Sequence, residues 1–223
     1  MKVHALILPA APTPKGQPQQ GTMATMESEK AEVAALAARW VVEEGLDFGA
    51  AKRRALKQIG AQGRQAMPDN EAMERAVEEY IAVFCADTQP AELRALRTLA
   101  LIWMDRLAEF GPLIGGAVWR GTATRHSDIY LQLFCEDPKV AEIRLIDQGV
   151  RFSPSQVTGL HGERVDALSV HLWSEELQEH IGLHLLVNDR NAIRGALQPD
   201  GAGRRLRGDR QSLRALVHNS THE

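Results

Sequence analysis

At Gly111 the hydrophobic pattern changes period, and no other feature constrains the fold as much. Before it, apolar residues recur every three or four positions. Val33, Leu36, Ala37, Trp40 and Val41 form one such stripe, and Phe48, Ala51, Ala55 and Ile59 a second. Met73, Val77, Tyr80, Ile81 and Phe84 form a third, and Leu93, Leu96, Ala100, Trp103, Met104 and Leu107 a fourth. That spacing belongs to helices with one buried face. After Gly111, Ile129, Leu131 and Leu133 alternate with Asp128, Tyr130, Gln132 and Phe134, which is the period of a strand.

Local chemistry places the element ends. Gly45 stops the first helix, Asp47 suits an N-cap for the second, and Gly60 ends it. Gly111-Pro112 closes the fourth. The segment 137–149 reads as a further helix, with Val140, Ile143 and Ile146 aligned and Gly149 as its stop. "VRFSPSQV", "RVDALSVHLW" and "HIGLHLLV" are strand candidates. The expected class is α+β, a helical N-terminal region followed by a small mixed sheet. The expected divisions are a disordered Pro- and Gln-rich tail over 1–26, a helical region over 27–110, a sheet core over 111–189, and a basic tail with a short helix over 190–223. Met23 and Met26 are alternative translation starts within the first of these.

Composition narrows the partners. A net charge of −3 over 223 residues is not that of a general nucleic-acid binder. No apolar run reaches the roughly 18 residues of a membrane helix, so no membrane partner is expected. Cys85 and Cys135 lie outside any zinc-ligand spacing and fit a reducing, cytoplasmic setting. Charge is nevertheless segregated. Arginines 190, 194, 204, 205, 207, 210 and 214 crowd the C-terminal segment, and acids 69, 71, 74, 78, 79, 87 and 92 crowd the third helix and its flanks. The basic segment contacts phosphate, docks on the acidic helix, or is simply solvated. Lys52, Arg53, Arg54 and Lys57 form a second basic cluster, either a solvated face or a contact for RNA or an acidic protein.

"GAVWRGTATRHSDIYL", residues 116 to 131, resembles the signature of the nucleotidyltransferase superfamily, the polymerase-beta-like fold. That signature runs Gly-Ser, then Arg-Gly-x-Ala, then Ser-Asp-x-Asp-Leu. Gly116, Arg120, Gly121, Ala123, Ser127, Asp128, Ile129 and Leu131 fall at its spacing. More broadly, residues 35 to 187 resemble a group of uncharacterised bacterial proteins in which a helical segment precedes a degenerate nucleotidyltransferase core.

The resemblance implies nucleotide binding and transfer of a nucleotidyl group, with magnesium or manganese as cofactor. Two magnesium ions, roughly 3.5–4 Å apart, would need carboxylates side by side, and Asp-x-Asp on a strand supplies them. Here Asp128 takes the first position, but Tyr130 takes the second, and a phenol with a pKa near 10 is a poor magnesium ligand. The serine after the glycine is Ala117. Asp166 is the candidate third carboxylate, completing a catalytic and metal pair with Asp128. If "HIGLHLLV" is the equivalent strand instead, Gly182 or His184 stands there and no carboxylate does. Gly115, Gly116, Arg120, Gly121 and Ser127 are the expected phosphate contacts, and Arg125 and His126 border the same turn. The implied function is therefore a divergent nucleotidyltransferase-fold protein that binds a triphosphate, with catalysis lost or altered. The alternative is a non-catalytic module for RNA or a protein partner. His180 and His184 are four apart, but strand alternation puts Ile181, Leu183 and Leu185 inward and argues against a metal pair.

Overall fold

The computed structural model describes residues 20–60 and 66–219. Four helices open the chain: α1 (Gln20–Glu44), α2 (Phe48–Ile59), α3 (Asn70–Phe84) and α4 (Gln89–Arg106). There follow β1 (Leu113–Gly115), the short α5 (Gly116–Arg120), β2 (Ile129–Cys135) and α6 (Pro138–Asp147). Three strands, β3 (Ser153–Thr158), β4 (Arg164–Ser174) and β5 (Glu179–Asp189), precede a terminal α7 (Arg210–Asn219). The fold is α+β, as the period change predicts.

The helix ends are chemical. The Asp47 and Asp69 side chains accept from the amides of Ala50 and Ala72, capping α2 and α3. Gly60 closes α2 in the left-handed region, φ 73°. The tail expected over 1–26 lies outside the described residues as far as 19, and α1 already begins at Gln20, inside that span. Met23, Ala24 and Met26 in that stretch have high helix propensity, so the helix propagates past the expected boundary.

The sheet has strand order β1-β2-β5-β4-β3. β2 and β5 are parallel, and the other neighbours are antiparallel. One face is the core. Ile114, Ile129, Leu131, Leu133, Leu168, Val170, Leu183 and Leu185 lie there against Leu96, Trp103 and Met104 of α4, Leu145 of α6 and Leu213 of α7. The boundary expected at 110–111 is thus a change of secondary structure rather than of core, because α4 packs with the sheet. A separate core joins α1, α2 and α3 through Val33, Ala37, Trp40, Ala55 and Met73.

Two polar clamps tie the helices to the loop before β2. Gln89 at the start of α4 donates to the carbonyls of Gly121 and Ala123, both at 2.9 Å. The Thr124 hydroxyl donates to the Val42 carbonyl at 3.2 Å. The stripe expected on α6 faces outward instead. Ala141 and Leu145 are buried, while Val140, Ile143 and Ile146 are exposed. Packing of Ala141 and Leu145 into the core selects which side of this helix meets the sheet, and a three-residue spacing alone does not.

Candidate functional site

The second face of the sheet carries the chemistry. Residues two apart on a strand share a face, so Asp128, Tyr130, Gln132 and Phe134 lie together opposite the core, as their alternation predicts. Asp128 stands immediately before β2. The turn that delivers it is closed by its neighbour: the Ser127 hydroxyl oxygen accepts from the Thr124 amide at 3.0 Å. Asp128 is therefore free of its own turn and reaches across to β5. Its Oδ1 accepts from the Gly182 amide at 3.0 Å, and its Oδ2 lies 3.1 Å from His184 Nε2. The other ring nitrogen, Nδ1, is 2.9 Å from Ser169 Oγ on β4. Tyr130 pairs with His184 in register and stacks on its ring, centroids 4.8 Å apart.

Beside this row lies the glycine turn. Gly115 is the register partner of Tyr130 across β1 and β2. Gly116 follows in the left-handed region, φ 70°, and a Cβ there would sit 3.6 Å from the Tyr130 ring. The C-terminal segment crosses this turn. Ile114 and Gly208 exchange backbone hydrogen bonds at 2.9 and 3.0 Å, and the Arg207 side chain passes over Gly115. Burial lowers the Arg207 pKa from its ordinary value. Among the described residues its guanidinium has no ion-pair partner.

The expected site residues thus divide. Gly115, Gly116 and Asp128 come together around Tyr130. Ser127 holds the turn rather than facing the sheet. Arg120 lies at the far end of α5, 3.5 Å from Glu74 of α3, and Gly121 caps α5 beside the Arg97 side chain.

Asp166 is not brought to Asp128. It pairs with Val187, level with Leu133, and so lies on the core side of the sheet and several residues further along. β5 rather than β4 neighbours β2, so the position beside Asp128 holds Gly182 and His184, the second of the two arrangements open from sequence. The donors present do not fit a pair of magnesium ions. Both Asp128 oxygens are engaged. The Tyr130 phenol has its pKa raised by burial first and then by the charges of Asp128 and Asp47, so it is neutral near pH 7. Among the described residues no three His, Cys, Asp or Glu side chains are grouped to hold a metal ion.

Sequence reasoning placed Ile181, Leu183 and Leu185 inward, and they are buried. It did not find Ser169, nor the partnership of His184 with Asp128. Both follow from which strands are adjacent, which alternation within one strand does not report.

The basic residues are mostly neutralised within the chain. Arg204 meets Glu74 of the acidic helix at 3.4 Å, and Arg210 and Arg214 meet Asp105 at 2.9 and 3.3 Å. Arg190 meets Glu136 at 2.9 Å. Lys52 is buried and donates to Asn70 at 2.8 Å, and Arg54 pairs with Glu44 and lies over the Trp40 ring. Arg125 donates to the Leu177 carbonyl and to Glu179.

No family model and no curated protein matches the chain. Among solved structures it is similar to the Cid1 poly(U) polymerase bound to MgATP, with a TM-score of 0.33 and 16% identity over 55% of this chain and 40% of that one. It is similar also to a cytoplasmic RNA terminal U-transferase, with a TM-score of 0.32 and 17% identity over 56% and 39%. The chain spans about two fifths of the length of these structures. No helix among the described residues is long and apolar enough to cross a membrane.

Proposed function

We propose that this chain is a divergent nucleotidyltransferase-fold protein that binds a nucleoside triphosphate on the face bearing Asp128 and Tyr130, without two-magnesium transfer at Asp128. One observation carries the reading: the register of Gly115 with Tyr130, which lays the glycine turn beside the strand that Asp128 precedes. A turn without side chains lets backbone amides approach phosphate oxygens. Arg207, unpaired and crossing that turn, adds the charge a polyphosphate needs. The partly exposed Tyr130, stacked on His184, offers a π-face to a base. The sixteen-residue resemblance supports the same assignment. Asp128 has exchanged metal coordination for hydrogen bonding to β5.

Calorimetric titration with ATP and with UTP tests this. Binding is expected to persist in EDTA, to change little on adding Mg²⁺, and to weaken about tenfold in Arg207→Ala, as loss of one charge-assisted contact does. Absence of heat with any triphosphate, or binding that requires Mg²⁺, would overturn it. The alternative, an RNA or protein module built on the basic tail, has less support, because Arg190, Arg204, Arg210 and Arg214 are already paired with acids of this chain.

A further inference from the structure

We infer that Ser169 is a nucleophile activated by His184 and Asp128, and that it accepts the nucleotidyl group of a triphosphate bound on this face. The substrate class rests on the reading above; the activation of the serine does not.

Three side chains form a continuous chain of contacts across the sheet. Asp128 Oδ2 is 3.1 Å from His184 Nε2, and His184 Nδ1 is 2.9 Å from Ser169 Oγ. The protons follow from chemistry. An ionised carboxylate only accepts, so Nε2 carries the ring proton. A neutral imidazole then has a bare Nδ1, which accepts from the Ser169 hydroxyl. The serine's hydrogen points at the ring and its lone pairs point elsewhere. That is the logic by which an acid, a histidine and a serine make an alcohol nucleophilic, with the two ring nitrogens exchanged relative to the serine-protease arrangement.

A cross-strand Ser–His contact is by itself an ordinary sheet pair. Three features set this one apart. The carboxylate occupies the far nitrogen. The ring is held by stacking on Tyr130 and, through Asp128, by the Gly182 amide. Both ring nitrogens are engaged, so Ser169 Oγ is the one atom of the array left to meet a substrate. Access is open: Ser169 is half-buried, and its partner on the edge strand β3 is the exposed Ser153. Two strand spacings, about 10 Å, separate Ser169 from Tyr130, within the reach of a triphosphate laid from the glycine turn.

In the step proposed, Ser169 Oγ attacks the α-phosphorus of the triphosphate. A P–O bond forms to the serine, and the bond from the α-phosphorus to the bridging oxygen breaks. Pyrophosphate leaves with that electron pair. The serine proton passes to His184 Nδ1, and Asp128 steadies the imidazolium. Asp128 is a positioning residue here; Ser169 and His184 are the reacting groups.

A fluorophosphonate probe, followed by peptide mass spectrometry on the full chain, tests the activation. The expected adduct is on Ser169. It should be absent in Ser169→Ala, unchanged in Ser153→Ala, and formed about a hundredfold more slowly in Asp128→Asn, within the range a positioned base contributes. Circular dichroism of each variant checks that it is folded. An unlabelled Ser169, or labelling no faster than that of Ser153, overturns the proposal even if calorimetry shows nucleotide binding.

Incubation with ATP labelled at the α- or the γ-phosphate tests the substrate. The α-label should be retained on the Ser169 peptide and the γ-label lost. If the probe marks Ser169 but neither label transfers, the nucleotidyl step is overturned. If calorimetry shows no nucleotide binding while the probe still marks Ser169, it is the nucleotide reading that has failed.

Discussion

The Asp128 carboxylate lies directly on the α-carbon of Gly182: a Cβ at that glycine would sit 2.5 Å from Oδ1 and 2.7 Å from Cγ. No side chain fits there, so the glycine is what allows the acid to reach both its amide and His184. Gly182→Ala should expel Asp128, leave the residue-182 amide short of an acceptor and release one nitrogen of His184. The expected cost is about 1–3 kcal/mol in urea unfolding, the penalty for a buried donor without a partner. Gly201→Ala is the comparison. A Cβ there meets nothing within 4 Å, and the change should stay within about 0.5 kcal/mol, as at other open surface positions. Equal effects at the two positions would show that Asp128 is not anchored on β5.

The chain has two tyrosines, and both resist ionisation. Tyr80 donates to Glu43 at 2.5 Å, and this hydrogen bond, followed by burial, pushes its pKa up to about 12. Tyr130 is raised chiefly by burial. A raised folded-state pKa favours the neutral phenol. The associated stability is present in full below the unfolded value near 10 and is lost as pH rises through the folded value. An ultraviolet titration should therefore show little tyrosinate at pH 10 in the native protein. Tyr80→Phe should remove the transition near pH 12. Asp128→Asn should move the other transition down, though not to its ordinary position, because burial is the larger cause. A single step at pH 10 in the native state would contradict both assignments.

How far the sequence reveals this molecule depends on the range of the interaction. The α2 cap at Asp47 and its stop at Gly60 act within a few residues, and both were legible. So was the division of β2 into Ile129, Leu131 and Leu133 on one face and Asp128 and Tyr130 on the other. The site itself needs three strands in a particular order. Whether Asp166 or His184 stands beside Asp128 depends on β5 inserting between β2 and β4, and no residue in those strands encodes that order locally. The outward turn of Val140, Ile143 and Ile146 on α6 has a related cause. The helix presents two partly apolar sides, and only packing selects between them.

Arg97 shows how a charged group becomes structural. It lies on α4, 8% exposed, and donates to the carbonyls of Val118 and Trp119 at 3.1 and 3.4 Å. These carbonyls belong to the C-terminal end of α5, where a cation is favoured. Burial lowers the guanidinium pKa from its ordinary value, and an arginine side chain keeps its proton in a folded protein. Arg97→Met should lower the urea midpoint by the equivalent of about 1.5–3 kcal/mol, the range for hydrogen bonds to a charged group. Arg97→Lys should recover only part of this, because an ammonium cannot span two carbonyls with a planar fork. Full recovery by lysine would mean that charge alone matters here.

The C-terminal segment is held by a contact as close as that of Gly182. A Cβ on Gly208 would fall 2.1 Å from the Trp119 ring, and that ring cannot swing aside without cost because its indole N–H donates to the Arg205 carbonyl at 2.7 Å. Gly208→Ala should therefore detach the strand-like bridge to Ile114 and carry Arg207 away from Gly115. α7 should stay docked through Leu213 and the pairs of Arg210 and Arg214 with Asp105. Tryptic cleavage after Arg204, Arg205 and Arg207 should quicken about tenfold, the effect of roughly 1.4 kcal/mol lost from local docking. Triphosphate binding should weaken in the same variant, while fluorophosphonate labelling of Ser169, two strands away from β2, should not change. Faster proteolysis with undiminished nucleotide affinity would separate the tail from the phosphate site and leave Arg207 a purely structural role.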